Sequence, residues 1–285
     1  MPVDFLSAFV RSLSFLALFQ AGGVAIYVAL FGRQLWSAAA PVRRIGFLSA
    51  VAGIALVSMH YSLEAARMAG ELPGAFDPSL QRLVMDSPMS AAWVLRAVGL
   101  ALVAASIRNQ SKLAAAIGVV GAVASIQAFS LVGHTASHDA HAWLTALLGL
   151  HLGVVAFWFG SLLPLTIVTR RESAATAAAL VDAFSQLALW FVPAIFLAGV
   201  VMIAILVRRW SVFAQSYGLL LIAKAAGFAV LMAMAALNKW RYGPALATTP
   251  AAAIAFRRSV AVEYALICAV LVATAVMTTF FSPEQ

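Results

Sequence analysis

A chain of 285 residues that is 64% apolar and only 10% charged has a mean hydropathy of +0.99. This excludes a soluble globular domain, in which about a quarter of the residues carry charge. The net charge of +8 does not imply a nucleic-acid partner, because the basic residues flank apolar runs, where membrane topology already accounts for them. The single Cys268 excludes an internal disulfide and a multi-thiolate metal site.

A helix needs about 20 apolar residues to cross the hydrocarbon of a bilayer. Eight segments qualify: 9–32, 45–69, 89–108, 112–133, 142–168, 186–207, 217–239 and 259–281. In lipid the backbone must satisfy its own hydrogen bonds, and none of these runs alternates as a barrel strand would. The predicted fold is all-α, a polytopic membrane protein with eight transmembrane helices in one bundle and a single domain over 1–285. The opening MPVDFLSAFVRSLSFLALFQAGGVAIYVALF is too long for a signal h-region and lacks a basic n-region, so it reads as a retained first span. Before the sixth span, ESAATAAALVDAFSQ (172–186) has the pattern of an amphipathic helix lying in the membrane interface.

The connectors suggest an orientation. Arg33, Arg43, Arg44, Arg108, Lys112, Arg170, Arg171, Lys239, Arg241, Arg257 and Arg258 crowd one end, eleven of the eighteen basic residues. The opposite connectors hold Arg67, Arg82, Arg208 and Arg209. The positive-inside rule makes the first end cytoplasmic and puts both termini outside. His134, His138 and His141 then fall outside, with Met68, Met85 and Met89 in or beside the loop GELPGAFDPSLQRLVMDSPMS.

Polar groups inside the spans are costly and are functional candidates by default. His60, in VSMHYSLEAARMAG, and His151 each lie about nine residues inside their spans, roughly 13 Å deep at 1.5 Å per residue. Two imidazoles at one depth could share a metal. Met59 and Glu64 flank His60, and Glu64 at i+4 shares its helix face. The alternative is that each His only bonds a neighbouring carbonyl. His134, His138 and His141 share one face if their segment is helical, whereas Gly133, Thr135 and Ser137 favour a wet loop equally well. Imidazole with thioether suits copper, while carboxylate and water suit magnesium or calcium. Met85 and Met89, four apart across DSP, are the better thioether candidates; scattered Met202 and Met277 read as packing. Arg96 and Lys224 lie at the depth of Glu64, which predicts a buried Glu64–Arg96 or Glu64–Lys224 pair. Glu263 is expected to partner Arg257 or Arg258 at the interface.

The segment LVGHTASHDAHAWLTALLGLHLGVVAFWFGSLLPL resembles the central signature of the CopD family of bacterial copper-resistance inner-membrane proteins. There a Gly-His pair closes one span, and a later His precedes a Trp-containing run ending in Leu-Pro-Leu. His134 matches the first His, His151 the second, and FWFGSLLPL (157–165) the closing run. SYGLLLIAKAAGFAVLMAMAALNKW (216–240) is similar to the family's Tyr-Gly…Lys…Asn-Arg segment, with Lys239 where Arg is usual. FRRSVAVEYALICAVLV (256–272) is similar to its Arg-Arg-Ser-Val…Glu closing span. The resemblance covers 125–281; the first four spans match in hydropathy more than in motif, and 71–90 departs from the pattern.

The resemblance implies copper transport at the bacterial inner membrane, inward from the periplasm, with a CopC-like periplasmic copper carrier as donor; the charge pattern adds that both termini are periplasmic. His60, His138 and His141 are not part of it and rest on spacing and depth alone. The expected path is capture by a rim of His134, His138, His141, Met85 and Met89, then transfer to an intramembrane site of His60 and His151 with Met59 and Glu64. Imidazole ligates in its neutral form, so capture should weaken as pH falls through about 6.5. No Gly-rich phosphate loop is present and the cytoplasmic connectors are short, so no ATP hydrolysis and no enzyme activity is expected. Small-residue faces in FGSLLPL and GVVGAVAS should let helices pack closely. Two rivals stand beside this reading. One is electron transfer through a b-type haem held between His60 and His151; the other is a non-transporting docking partner of a periplasmic copper carrier.

Overall fold

The computed structural model describes residues 2–133, 136, 138–206 and 216–280. Among them there is no strand, and eight helices are long and apolar enough to cross a membrane. The spans are α1 (Pro2–Phe31), α2 (Ala39–Ala69), α4 (Pro88–Ser106), α5 (Lys112–Gln127), α6 (His141–Arg171), α7 (Ala174–Leu206), α8 (Ser216–Leu237) and α9 (Pro250–Phe280). A short α3 (Pro78–Met85) and a 3₁₀ turn, Leu72–Phe76, fill the connector after α2.

Local chemistry sets the helix ends at that connector. Gly70, in the left-handed region at φ 78°, closes α2, a conformation that costs glycine no Cβ clash. Asp77 then caps α3 by accepting from the amides of Ser79 (2.8 Å) and Leu80 (3.3 Å), with Pro78 in the first helical position. Ser87 and Pro88 repeat the device at α4, and Ser111 caps α5 through the amide of Ala114. Across the molecule, Glu172 accepts from the amides of Trp36 (2.9 Å) and Ala38 (2.8 Å), holding the chain that enters α2.

α1 is the central post: 67% of its apolar window is buried, against 6% for α8. It packs on α2, α5, α6 and α9, and its Phe15, Phe19 and Tyr27 lie in the main core. Two crossings bring backbones together where both helices offer glycine. Gly23 meets Gly160 and Ala156 between α1 and α6, and Gly99 meets Gly121 between α4 and α5. The small-residue faces FGSLLPL and GVVGAVAS therefore pack as the sequence suggests. Phe5 and Phe280 are in ring contact at 5.5 Å, and Arg11 donates to the Thr278 carbonyl at 3.2 Å, so the first and last spans meet at one end. We call this the termini-bearing end and its opposite the arginine-rich end.

One predicted element is corrected. Residues 174–186 do not form a separate interfacial helix but the first turns of α7, with Ala177, Leu180, Val181 and Phe184 buried in the core. The stretch presents its apolar face to protein, and the rest of α7 continues it without a break.

Candidate functional site

Near the termini-bearing end of α2, His60 is buried at 6% exposure. Its Nε2 lies 3.6 Å from Glu64 Oε1 and makes no hydrogen bond. Arg11, Arg67 and Arg96 stand within electrostatic reach of the ring. Glu64 pairs with Arg67 at 3.1 Å, and Arg67 reaches on to Asp4 at 3.3 Å. The expected partners of Glu64, Arg96 and Lys224, are thus replaced by a residue one turn away on its own helix. Arg96 instead lies over the Phe129 ring, 4.3 Å from its centroid, where the ring face partly offsets the cost of burying the charge. Met59 precedes His60 by about 100° of helix rotation and is half exposed on the outer side of α2.

His151 lies in the first half of α6 and is only partly buried. Its Nδ1 lies 3.2 Å from the carbonyl oxygen of Ile195 on α7. A carbonyl only accepts, so Nδ1 carries the proton and Nε2 keeps its lone pair. Gly199 lies beside the ring; a Cβ there would sit 3.7 Å from His151 Cε1. Lys224 of α8 is within electrostatic reach. The surroundings of His60 come from α1, α2 and α4, and those of His151 from α7 and α8. Among the described residues, no three His, Cys, Asp or Glu side chains are grouped to hold one metal ion.

The rim is only partly assembled. His134 lies outside the described residues. His138 Nδ1 accepts from the Ala140 amide at 3.0 Å, which commits that nitrogen and leaves Nε2 protonated. His141 is exposed at the first position of α6. Met85 is exposed, whereas Met89 packs beside Tyr61, Val84 and Trp93.

A second polar cluster lies deeper, and Glu263 belongs to it rather than to an interfacial pair with Arg257 or Arg258. Glu263 is 2% exposed; it accepts from Trp158 Nε1 at 3.4 Å and from Asn238 Nδ2. Arg257 donates instead to the Thr169 carbonyl. Nearby, Tyr264 donates to Gln20 Oε1 at 3.2 Å, and Gln20 donates to the Gly160 carbonyl at 3.1 Å. The missed signal was periodic: Phe256, Val260, Glu263, Ile267 and Leu271 form one stripe of the last span at intervals of three or four, and all are buried.

The molecule is a multi-pass membrane protein with imidazole and carboxylate groups inside an eight-helix bundle. The family described as copper resistance protein D-like, N-terminal domain, matches residues 1–143, and the family copper resistance protein D matches residues 178–277. The chain belongs to the copper resistance protein D family, and with it to copper-related membrane function. The N-terminal match covers the four spans whose sequence carried little motif. No curated protein and no solved structure matches the chain.

Proposed function

We propose that the protein carries copper across the bacterial inner membrane, from the periplasm to the cytoplasm, through imidazole stations in the termini-bearing half of the bundle. The observation that carries this reading is the state of the two intramembrane rings. His151 donates a hydrogen bond from Nδ1 to a backbone carbonyl, so the lone pair of the neutral ring sits on Nε2, the arrangement that a metal-binding His commonly has. His60 Nε2 is buried with no hydrogen bond. The rim of His134, His138, His141, Met85 and Met89 takes copper from a CopC-like periplasmic carrier, His138 joining once its Nδ1 releases the Ala140 amide. Arg11, Arg67 and Arg96 around His60 outnumber Glu64 and Asp4, and the resulting positive field penalises a divalent ion more than a singly charged soft one.

The test is copper bound per purified protein in lipid nanodiscs for His60→Ala, His151→Ala and the double variant. Each single change should weaken binding at least about tenfold, the scale of losing support at a metal site. Unchanged stoichiometry and affinity in the double variant would sink the proposal. A Soret band in the absorption spectrum of the same preparation would replace it with the haem reading. Rim substitutions should slow uptake and leave the deep station filled at equilibrium.

A further inference from the structure

The imidazole path leaves the cluster around Glu263 without a role. Its carboxylate is buried in a membrane-spanning helix, and among the described residues no cation lies within ion-pairing distance of it. Its two bonded partners, Asn238 and Trp158, are neutral. Of the charged and titratable groups on the elements packed around it, Arg241, Arg258 and Lys224 make no ion pair with it, and the others nearest to it bond elsewhere. Lys239 donates to the Ser185 carbonyl, Arg257 to the Thr169 carbonyl and Tyr264 to Gln20. A permanently ionised carboxylate in this setting would be uncompensated.

The neighbouring atoms fit two protonation states. Asn238 sits at a π turn, Asn238–Tyr242, closed by the Gly243 amide bonding back to the Asn238 carbonyl. Such turns commonly mark functional positions in helices. With Glu263 ionised, Asn238 Nδ2 donates to the carboxylate, and its Oδ1 is left buried and unbonded. With Glu263 protonated, rotation of the amide lets the carboxyl O–H donate to that same Oδ1. The Ser259 hydroxyl, one turn before Glu263 on α9, is also buried and unbonded. A cavity of about 340 Å³ lined by Asp182, Ser185 and Lys239 opens next to this turn at the arginine-rich end.

From this geometry we infer that Glu263 is a reversible proton-binding site, switched between two hydrogen-bonded states by Asn238, that exchanges protons with the arginine-rich side and couples them to copper movement. The coupling rests on the transport proposed above; the proton site does not. One proton is taken up from the arginine-rich side as Asn238 turns from donor to acceptor and returns to that side as the amide turns back, so no net proton crosses the membrane and copper movement responds to the pH on that side, which the imposed gradient sets.

The full-length protein in nanodiscs is titrated from about pH 5 to about pH 9 by infrared difference spectroscopy, and copper uptake into proteoliposomes is measured with and without an imposed pH gradient. A carbonyl band of a protonated carboxyl should titrate in the native protein, vanish in Glu263→Gln and shift in Asn238→Leu. Glu263→Gln should also lose acceleration of uptake by the gradient while binding as much copper at equilibrium. Absence of a titrating band assignable to Glu263 overturns the site, and a gradient response that survives Glu263→Gln overturns the coupling. If the native protein takes up no copper, the transport reading fails while the infrared result still decides the proton site.

Discussion

Asp77 shows how much of the termini-bearing face hangs on single side chains. Its carboxylate accepts first from the Ser79 hydroxyl and then from the amides of Ser79 and Leu80, and these bonds hold it below the usual carboxylate range. A group lowered on folding stabilises the fold above its unfolded value, and that contribution disappears as pH falls through the folded value. Acidification below about pH 4 should therefore loosen the start of α3 first. Amide exchange at Ser79 and Leu80 reads this directly: protection should fall with pH in the native protein and be pH-independent in Asp77→Asn, which can cap but cannot titrate. Equal pH dependence in both proteins would remove Asp77 as the cause. Glu64, by contrast, found Arg67 rather than the predicted Arg96 or Lys224. Sequence depth ranks partners by level in the membrane and not by azimuth, and Arg67 lies one turn away on the same face.

At the scale of elements, the crossing of α1 and α6 depends on the absence of two side chains. A Cβ on Gly23 would overlap the Ala156 carbonyl and lie 2.7 Å from Gly160 Cα, whereas one on Gly153 of α6 meets nothing within 4 Å. Gly23→Ala should destabilise the bundle by about 1–3 kcal/mol through overpacking. Gly153→Ala should stabilise it by up to about 1 kcal/mol through helix propensity. Thermal unfolding in one detergent compares the two, and the same sign for both would deny the close crossing. The elements themselves were readable because a span in lipid needs little beyond length and apolar composition. What composition could not supply was the direction of each face. The 172–186 segment looked interfacial because its apolar stripe was assigned to lipid, yet Leu180 and Phe184 of that stripe face the core. Glu263 was misplaced for the converse reason: adjacent arginines drew it toward the interface, while its position on the Phe256–Leu271 stripe placed it inside. His60 was legible as a buried polar group, whereas His151 is only half-buried, and which helices surround each ring is a tertiary fact with no sequence signature.

At the scale of the whole molecule, function depends on which end faces the periplasm. An even number of spans puts both termini at one end, in keeping with the Phe5–Phe280 contact. Eleven of eighteen basic residues lie at the other end, and moving that many cations across during insertion is the costly alternative. Exposed Trp36 and Trp240 at that end and Trp143 at the opposite one suit the two interfaces. The termini-bearing end, which holds the proposed rim and imidazole stations, should thus face the periplasm, as the proposed inward copper movement requires. In a Cys268→Ser background, Phe76→Cys and Gln110→Cys introduce thiols at exposed positions on opposite ends. A membrane-impermeant thiol reagent applied to intact spheroplasts should label the first and spare the second until the cells are opened. The reverse pattern would place the proposed rim in the cytoplasm, turn the same proposed stations into an export path, and put the cavity lined by Asp182, Ser185 and Lys239 on the periplasmic side.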